Sequence, residues 1–308
     1  MSRRLPWLLA GAAILVQIAW PLTTAGSTAR VVATSLTVVL FAAASISHAA
    51  VTRGVRWGAA YAAIAIGIGL VVEVLGVHTG LPFSRYAYTD VLYPQVFNVP
   101  LVVPLAWAMM AYPALLVGQR LGRGRLTTIL IGGYALAAWD LFLDPQMVAE
   151  NYWTWASDSW ALPGVAGIPG WNYLGWLLVS FVLIGLLTLL GDPMAPDANT
   201  DAASSGFGGI GVGIGGPSSS IGNASPTSQV LRAEGVPALL YAWTWVGGIV
   251  ANAVFLHRPA VAMWGGLAMG AVAIPYLWKL RKEAEGSREP AIDPRALADD
   301  RGRAGRQA

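Results

Sequence analysis

The sequence has no cysteine. Disulfides, thiolate metal sites and cysteine nucleophiles are therefore excluded. Charge is also scarce. Only 11% of the 308 residues are charged and 56% are hydrophobic, with a mean hydropathy of +0.57. Soluble domains carry about 25% charged residues, so the composition excludes that class and points to a polytopic membrane protein. The net charge of +3 does not suggest a nucleic-acid partner, because most basic residues sit in short loops and in the C-terminal tail. Two motifs are missing as well. No GxxxxGK[ST] pattern accompanies the glycine-rich stretch, and no HExxH or similar spacing marks a metal centre. No metal is expected.

What is present is a series of apolar runs. Taking about 20 residues per crossing, we read eight spans: 5–22, 31–50, 58–77, 99–118, 127–143, 173–190, 237–256 and 260–278. The fold class expected is all-α, a polytopic bundle of about eight transmembrane helices. Residues 1–22 also have the look of a signal peptide, a basic start followed by an apolar core. The run is long enough to cross a bilayer, and we read it as a retained first span. The prolines of the fourth span predict a kink. Arg3, Arg4, Arg53, Arg56, Arg120, Arg123, Arg125, Arg232, Lys279, Arg281 and Lys282 would share one side, leaving Arg30, Arg85 and Arg258 on the other. This bias places both termini in the cytoplasm, in the plasma membrane. The expected organisation is a six-helix body (1–190) carrying the site and a disordered Gly/Ser-rich cytoplasmic linker (191–234). A two-helix hairpin (235–282) and a disordered charged tail (283–308) follow.

Polar residues collect on one face of this arrangement. Glu73 lies near the outer end of the third span. Asp140 and Asp144, in "WDLFLDPQM", lie one helical turn apart at the outer end of the fifth. His78, Arg85, Tyr86, Tyr88 and Asp90 fill one outer loop, and Glu150, Trp153 and Trp155 lie in another. Asn98 and Asn172 begin the fourth and sixth spans on that side. A charge at the bilayer centre costs about 2.5–3.5 kcal/mol, so such acids are kept for function, for a buried partner, or both. Arg85 is the expected partner of Glu73. For the aspartates, a helix C-terminus, a neighbouring carboxylate and apolar burial all disfavour the ionised form. One of them is expected to stay protonated and to serve as a general acid. The loop tryptophans read either as an interfacial belt or as a pocket whose π faces stabilise a cation.

Three blocks, "EVLGVHTGLPFSRYAYTD", "VPLVVPLAWAMMAYP" and "AWDLFLDPQMVAENYWTW", resemble the membrane-bound carotenoid biosynthesis protein family, which includes carotenoid 1′,2′-hydratases and bisanhydrobacterioruberin hydratase. "GIPGWNYLGW" continues the match. The resemblance spans roughly residues 67–190. One departure is Ser84, where the family pattern has glycine. The resemblance implies addition of water across the C1′–C2′ double bond of an acyclic carotenoid end, with water as co-substrate and no organic cofactor. The partners it implies are the carotenoid and membrane lipids, and association with other carotenoid-pathway enzymes stays open. It carries no assigned catalytic residues.

The residues suit this chemistry on their own terms. An unactivated trisubstituted alkene needs a strong proton donor and then stabilisation of a tertiary cation. Asp140 or Asp144 would supply the proton. The other aspartate or Glu73 would steady the cation and take a proton from water. His78, Arg85, Tyr86, Tyr88, Asp90, Asn98, Trp139, Glu150, Trp153, Trp155 and Asn172 are the candidate substrate-binding residues. Two other readings remain. A membrane prenyltransferase would use an aspartate-rich motif for Mg²⁺ and diphosphate, but a second acidic motif is missing. A transporter or carotenoid-binding scaffold would use no chemistry, yet the acids crowd one interface instead of forming a path across the membrane.

Overall fold

The computed structural model describes residues 2–156, 159–191 and 226–286. Among these residues eight helices are long and apolar enough to cross a membrane. They are α1 (Leu5–Ala19), α2 (Thr28–Arg53), α3 (Val55–Thr79), α4 (Val102–Leu121), α5 (Arg125–Ala149), α6 (Gly170–Leu187), α7 (Pro226–Val250) and α8 (Pro259–Gly286). The chain is a multi-pass helical membrane protein. Short 3₁₀ turns extend α1 and α6, and a π turn over Ala251–Phe255 extends α7.

Local chemistry explains several boundaries. The Ser27 hydroxyl accepts the Arg30 N–H at 3.2 Å and caps α2. Gly80, at φ +82°, closes α3 in the left-handed conformation that glycine tolerates. The fourth helix continues through Pro113 to Leu121. The fifth continues through Pro145 to Ala149, beyond the expected end at 143, so both aspartates lie inside the helix and not at its edge.

Helices α4 and α5 approach closely because small residues face each other. A Cβ added at Gly118 would come within 2.4 Å of the Thr128 carbonyl oxygen and 2.9 Å of the Gly132 Cα. Close backbone contact of this kind supplies the packing that lipid cannot drive hydrophobically. The hairpin shares the core of the body. The Tyr241 hydroxyl donates to the Ala135 carbonyl at 3.0 Å, and the Phe142 ring wedges against Gly248 and Gly265. Its first helix starts at Pro226, inside the stretch expected to be linker. Residues 192–225 of that linker, and the tail from 287 on, lie outside the described residues.

Among the described residues four short strands interrupt the expected all-helical pattern: β1 (Tyr86–Tyr88), β2 (Gln95–Val96), β3 (Val99–Pro100) and β4 (Trp153–Trp155). β1 pairs antiparallel with β4, joining the loop after α3 to the loop after α5. β2 and β3 form a hairpin whose two turn residues, Phe97 and Asn98, both have positive φ, as a type I′ turn requires.

Candidate active site

Three helices deliver polar groups to one end of the bundle. α3 brings Glu73, α5 brings Asp140 and Asp144, and α6 brings Asn172; their exposures are 4%, 0%, 1% and 1%. They line a cavity of about 30 Å³ together with Phe83, Tyr86, Tyr88, Val103, Ala106, Trp107, Leu143, Trp153, Trp155 and Trp176. A water molecule needs roughly 10–15 Å³ measured this way, so the cavity has room for one or two.

The carboxylates are held by neutral donors. Glu73 Oε2 accepts the hydroxyls of Tyr86 at 2.5 Å and Tyr88 at 2.7 Å, and Oε1 accepts the Trp107 indole N–H at 2.9 Å. Asp144 Oδ1 accepts the indole N–H groups of Trp153 at 2.6 Å and Trp155 at 3.1 Å. The Asn172 amide donates one hydrogen to Asp144 Oδ2 and the other to Asp140 Oδ2, both at 2.8 Å. Asp140 Oδ1 is buried and has no partner among the described residues. Among the described residues, no arginine, lysine or histidine lines the cavity.

The β1–β4 ladder roofs the cavity. Its register pairs Tyr86 with Trp155 and Tyr88 with Trp153, with ring centroids 5.0 and 5.6 Å apart. Strand alternation turns these four rings inward and Ala87 and Thr154 outward. Gly76, one turn beyond Glu73, lets the roof close: a Cβ there would sit 2.6 Å from the Tyr86 hydroxyl. Burial, and then the Glu73 carboxylate, push both phenols well above their ordinary range, so they remain donors. On the floor, Trp107 and Trp176 stack at 4.0 Å, and Trp139 meets Trp176 edge-on at 6.0 Å.

Several expected members lie elsewhere. Arg85 is exposed on the outward side of β1 and does not pair with Glu73, whose oxygens are taken by neutral donors. His78 is exposed, its Nδ1 2.8 Å from the Val74 carbonyl of its own helix. Asp90 is exposed beyond the ladder, and Asn98 is exposed in the β2–β3 turn, where its backbone is needed at φ +62°. Glu150 caps α5 and pairs with Arg30 at 3.1 Å, outside the cavity. Trp139 stands behind Trp176 and does not line the cavity. The tryptophans divide between the two readings: Trp153 and Trp155 face the cavity, while Trp160 and Trp171 are 52% and 55% exposed.

Trp107, Trp176, Phe83 and Leu143 line the cavity without having been singled out in the sequence. The signal for Trp107 is general: a tryptophan deep in an apolar span must find an acceptor for its N–H.

The comparisons agree with the blocks quoted above. A family model described as carotenoid biosynthesis protein matches residues 33–205, more than half of the chain, and that stretch contains every residue lining the cavity. The bisanhydrobacterioruberin hydratase of Haloarcula japonica is 35% identical over 118 residues, which is 37% of this chain and 39% of that relative's length. No solved structure matches.

Proposed function

The chain belongs to the carotenoid biosynthesis protein family, and from that premise we propose that it is a carotenoid hydratase, a hydro-lyase that adds water across the C1′–C2′ double bond of an acyclic carotenoid end. A relative bearing a hydratase name supports this reading. The observation that carries it is Asp140 Oδ1. Every other carboxylate oxygen in the cavity accepts at least one donor, and this one has none. A bare anionic oxygen in a buried site is costly, whereas a carboxylic O–H there is neutral and leaves its proton free to be given up.

Asp140 is thus the acid. Its Oδ1 proton passes to the less substituted alkene carbon, the π electrons form the new C–H bond, and a tertiary cation remains on the other carbon. The carboxylates of Glu73 and Asp144, with the faces of the cavity indoles, stabilise that charge. The oxygen of a water held in the cavity bonds to the cation. Its surplus proton passes to Asp144 or Glu73 and from there back to Asp140, which restores the acid. The product is a tertiary alcohol, and the sum is alkene plus water. This chemistry calls for no organic cofactor. The site would open toward the outer face of the plasma membrane, with both termini in the cytoplasm, as the basic residues indicate.

Expression in a lycopene-producing bacterial host, followed by mass analysis of the pigments, tests the proposal. The expected result is a gain of one water per reacting end, abolished in Asp140→Asn. An unchanged pigment profile across several acyclic carotenoids would overturn it.

A further inference from the structure

A second cavity lies directly behind the first. It measures about 170 Å³ and opens between α1, α2, α5 and α7, with Met109 of α4 in its wall. Its lining is mostly apolar, with Trp20, Val38, Phe142, Met147 and Trp243 prominent. On α5 the groove is faced by Trp139, Leu143, Gln146 and Met147, one stripe at helical spacing, directly beside the stripe that carries Asp140 and Asp144. Leu143 belongs to both cavities. Trp139 joins them a second way, lining the groove with its ring edge-on to Trp176 of the acid cavity.

The sizes divide the reactants. The acid cavity holds one or two waters and has no space for a branched alkene. An apolar cavity of roughly 150 Å³ accepts a benzene-sized molecule, so the groove fits about one isoprene unit. It lies among helices that face lipid, where the rest of a long polyene stays dissolved.

We propose that this groove is the binding site for the terminal isoprene unit of the carotenoid, and that Leu143 is the wall the alkene displaces to reach Asp140. The inference rests on the hydratase reading for the identity of the chain, and it adds where that chain sits. Water and alkene then approach Asp140 from opposite sides of one side chain. The cation forms with the polyene already held and with water limited to what the small cavity stores.

The absence of native cysteine gives a direct test. The nearest side chain to a Cβ at Gly247, on the groove wall, is the Trp243 ring, at 3.6 Å, an ordinary contact. In Gly247→Cys the introduced thiol is unique. The full-length protein, in lipid nanodiscs, is labelled with N-ethylmaleimide with and without lycopene. Lycopene is expected to slow labelling at least five-fold, and to leave unchanged the labelling of Leu189→Cys, an exposed position in the 3₁₀ turn that follows α6. Equal rates at Gly247→Cys with and without lycopene would overturn the groove. In parallel, Gly247→Leu should raise KM for lycopene at least ten-fold. Leu143→Phe should leave the protection at Gly247→Cys intact while turnover falls at least ten-fold; unchanged turnover in Leu143→Phe would remove its role as the wall. The labelling does not depend on turnover. Protection without water addition by the native chain therefore sinks the hydratase reading and keeps the groove, and water addition without protection does the reverse.

Discussion

The two ends of the bundle treat carboxylates in opposite ways. Away from the cavity, Arg120 binds both Glu234 and Glu283, and Tyr276 donates to Glu234 at 3.0 Å. At the cavity end, Glu73, Asp140 and Asp144 receive only hydroxyl, indole and amide donors. The contrast is local, because Glu150 lies at the same end, outside the cavity, and has its own arginine. An arginine cancels a carboxylate's charge for good and occupies the space a transient cation would need. Neutral donors fix the direction of the oxygens and supply no countercharge, so each acid stays free to take up or release a proton. A cavity built the second way attracts a proton or a carbocation; one built the first way holds helices together.

The largest expected effect comes from removing the acid itself. Asp140→Asn keeps the shape and should lower water addition about 10²–10⁴-fold, the usual range for a general acid, read from pigment masses or from turnover in nanodiscs. Importing a cation breaks the comparison from the other side. Trp155→Arg retains N–H donors for Asp144 but adds positive charge beside the proposed cation site, and turnover should fall about 10²-fold with no loss of folded protein. At the opposite end, Arg120→Ala should leave turnover per folded molecule unchanged and cost about 1–2 kcal/mol of stability, below the loss for a fully buried pair because this one is partly exposed. Thermal unfolding in detergent reads that difference. The smallest effect is expected at Ser84, which stands at φ +126°, a conformation that favours glycine. Ser84→Gly should raise stability by about 1 kcal/mol and leave the cavity as it is.

Much of this was legible in the sequence. Hydropathy and length marked eight spans, and all eight are helices that could cross a membrane. The four-residue spacing of Asp140 and Asp144 placed them on one face, and Asn172 entered the site from the start of its span. The roof was harder to see. Each of its strands is three residues long, too short for alternation to stand out, and their pairing joins loops far apart in sequence. Without that register, Arg85 looked as close to Glu73 as Tyr86 did. One step of the pleat sends Tyr86 inward and Arg85 out to solvent. Ser84 is a further example, since its φ of +126° belongs to the turn that aims β1 and nothing in its residue type announces that angle.

The β1–β4 ladder carries donors to acids of two different helices: its tyrosines serve Glu73 and its tryptophans serve Asp144. Lifting it would strip those donors from both acids at once. This arrangement of donors around the acids therefore exists only while the ladder is shut. Under the proposed hydration, the contact that aligns the acids would also keep bulk solvent from quenching the cation early.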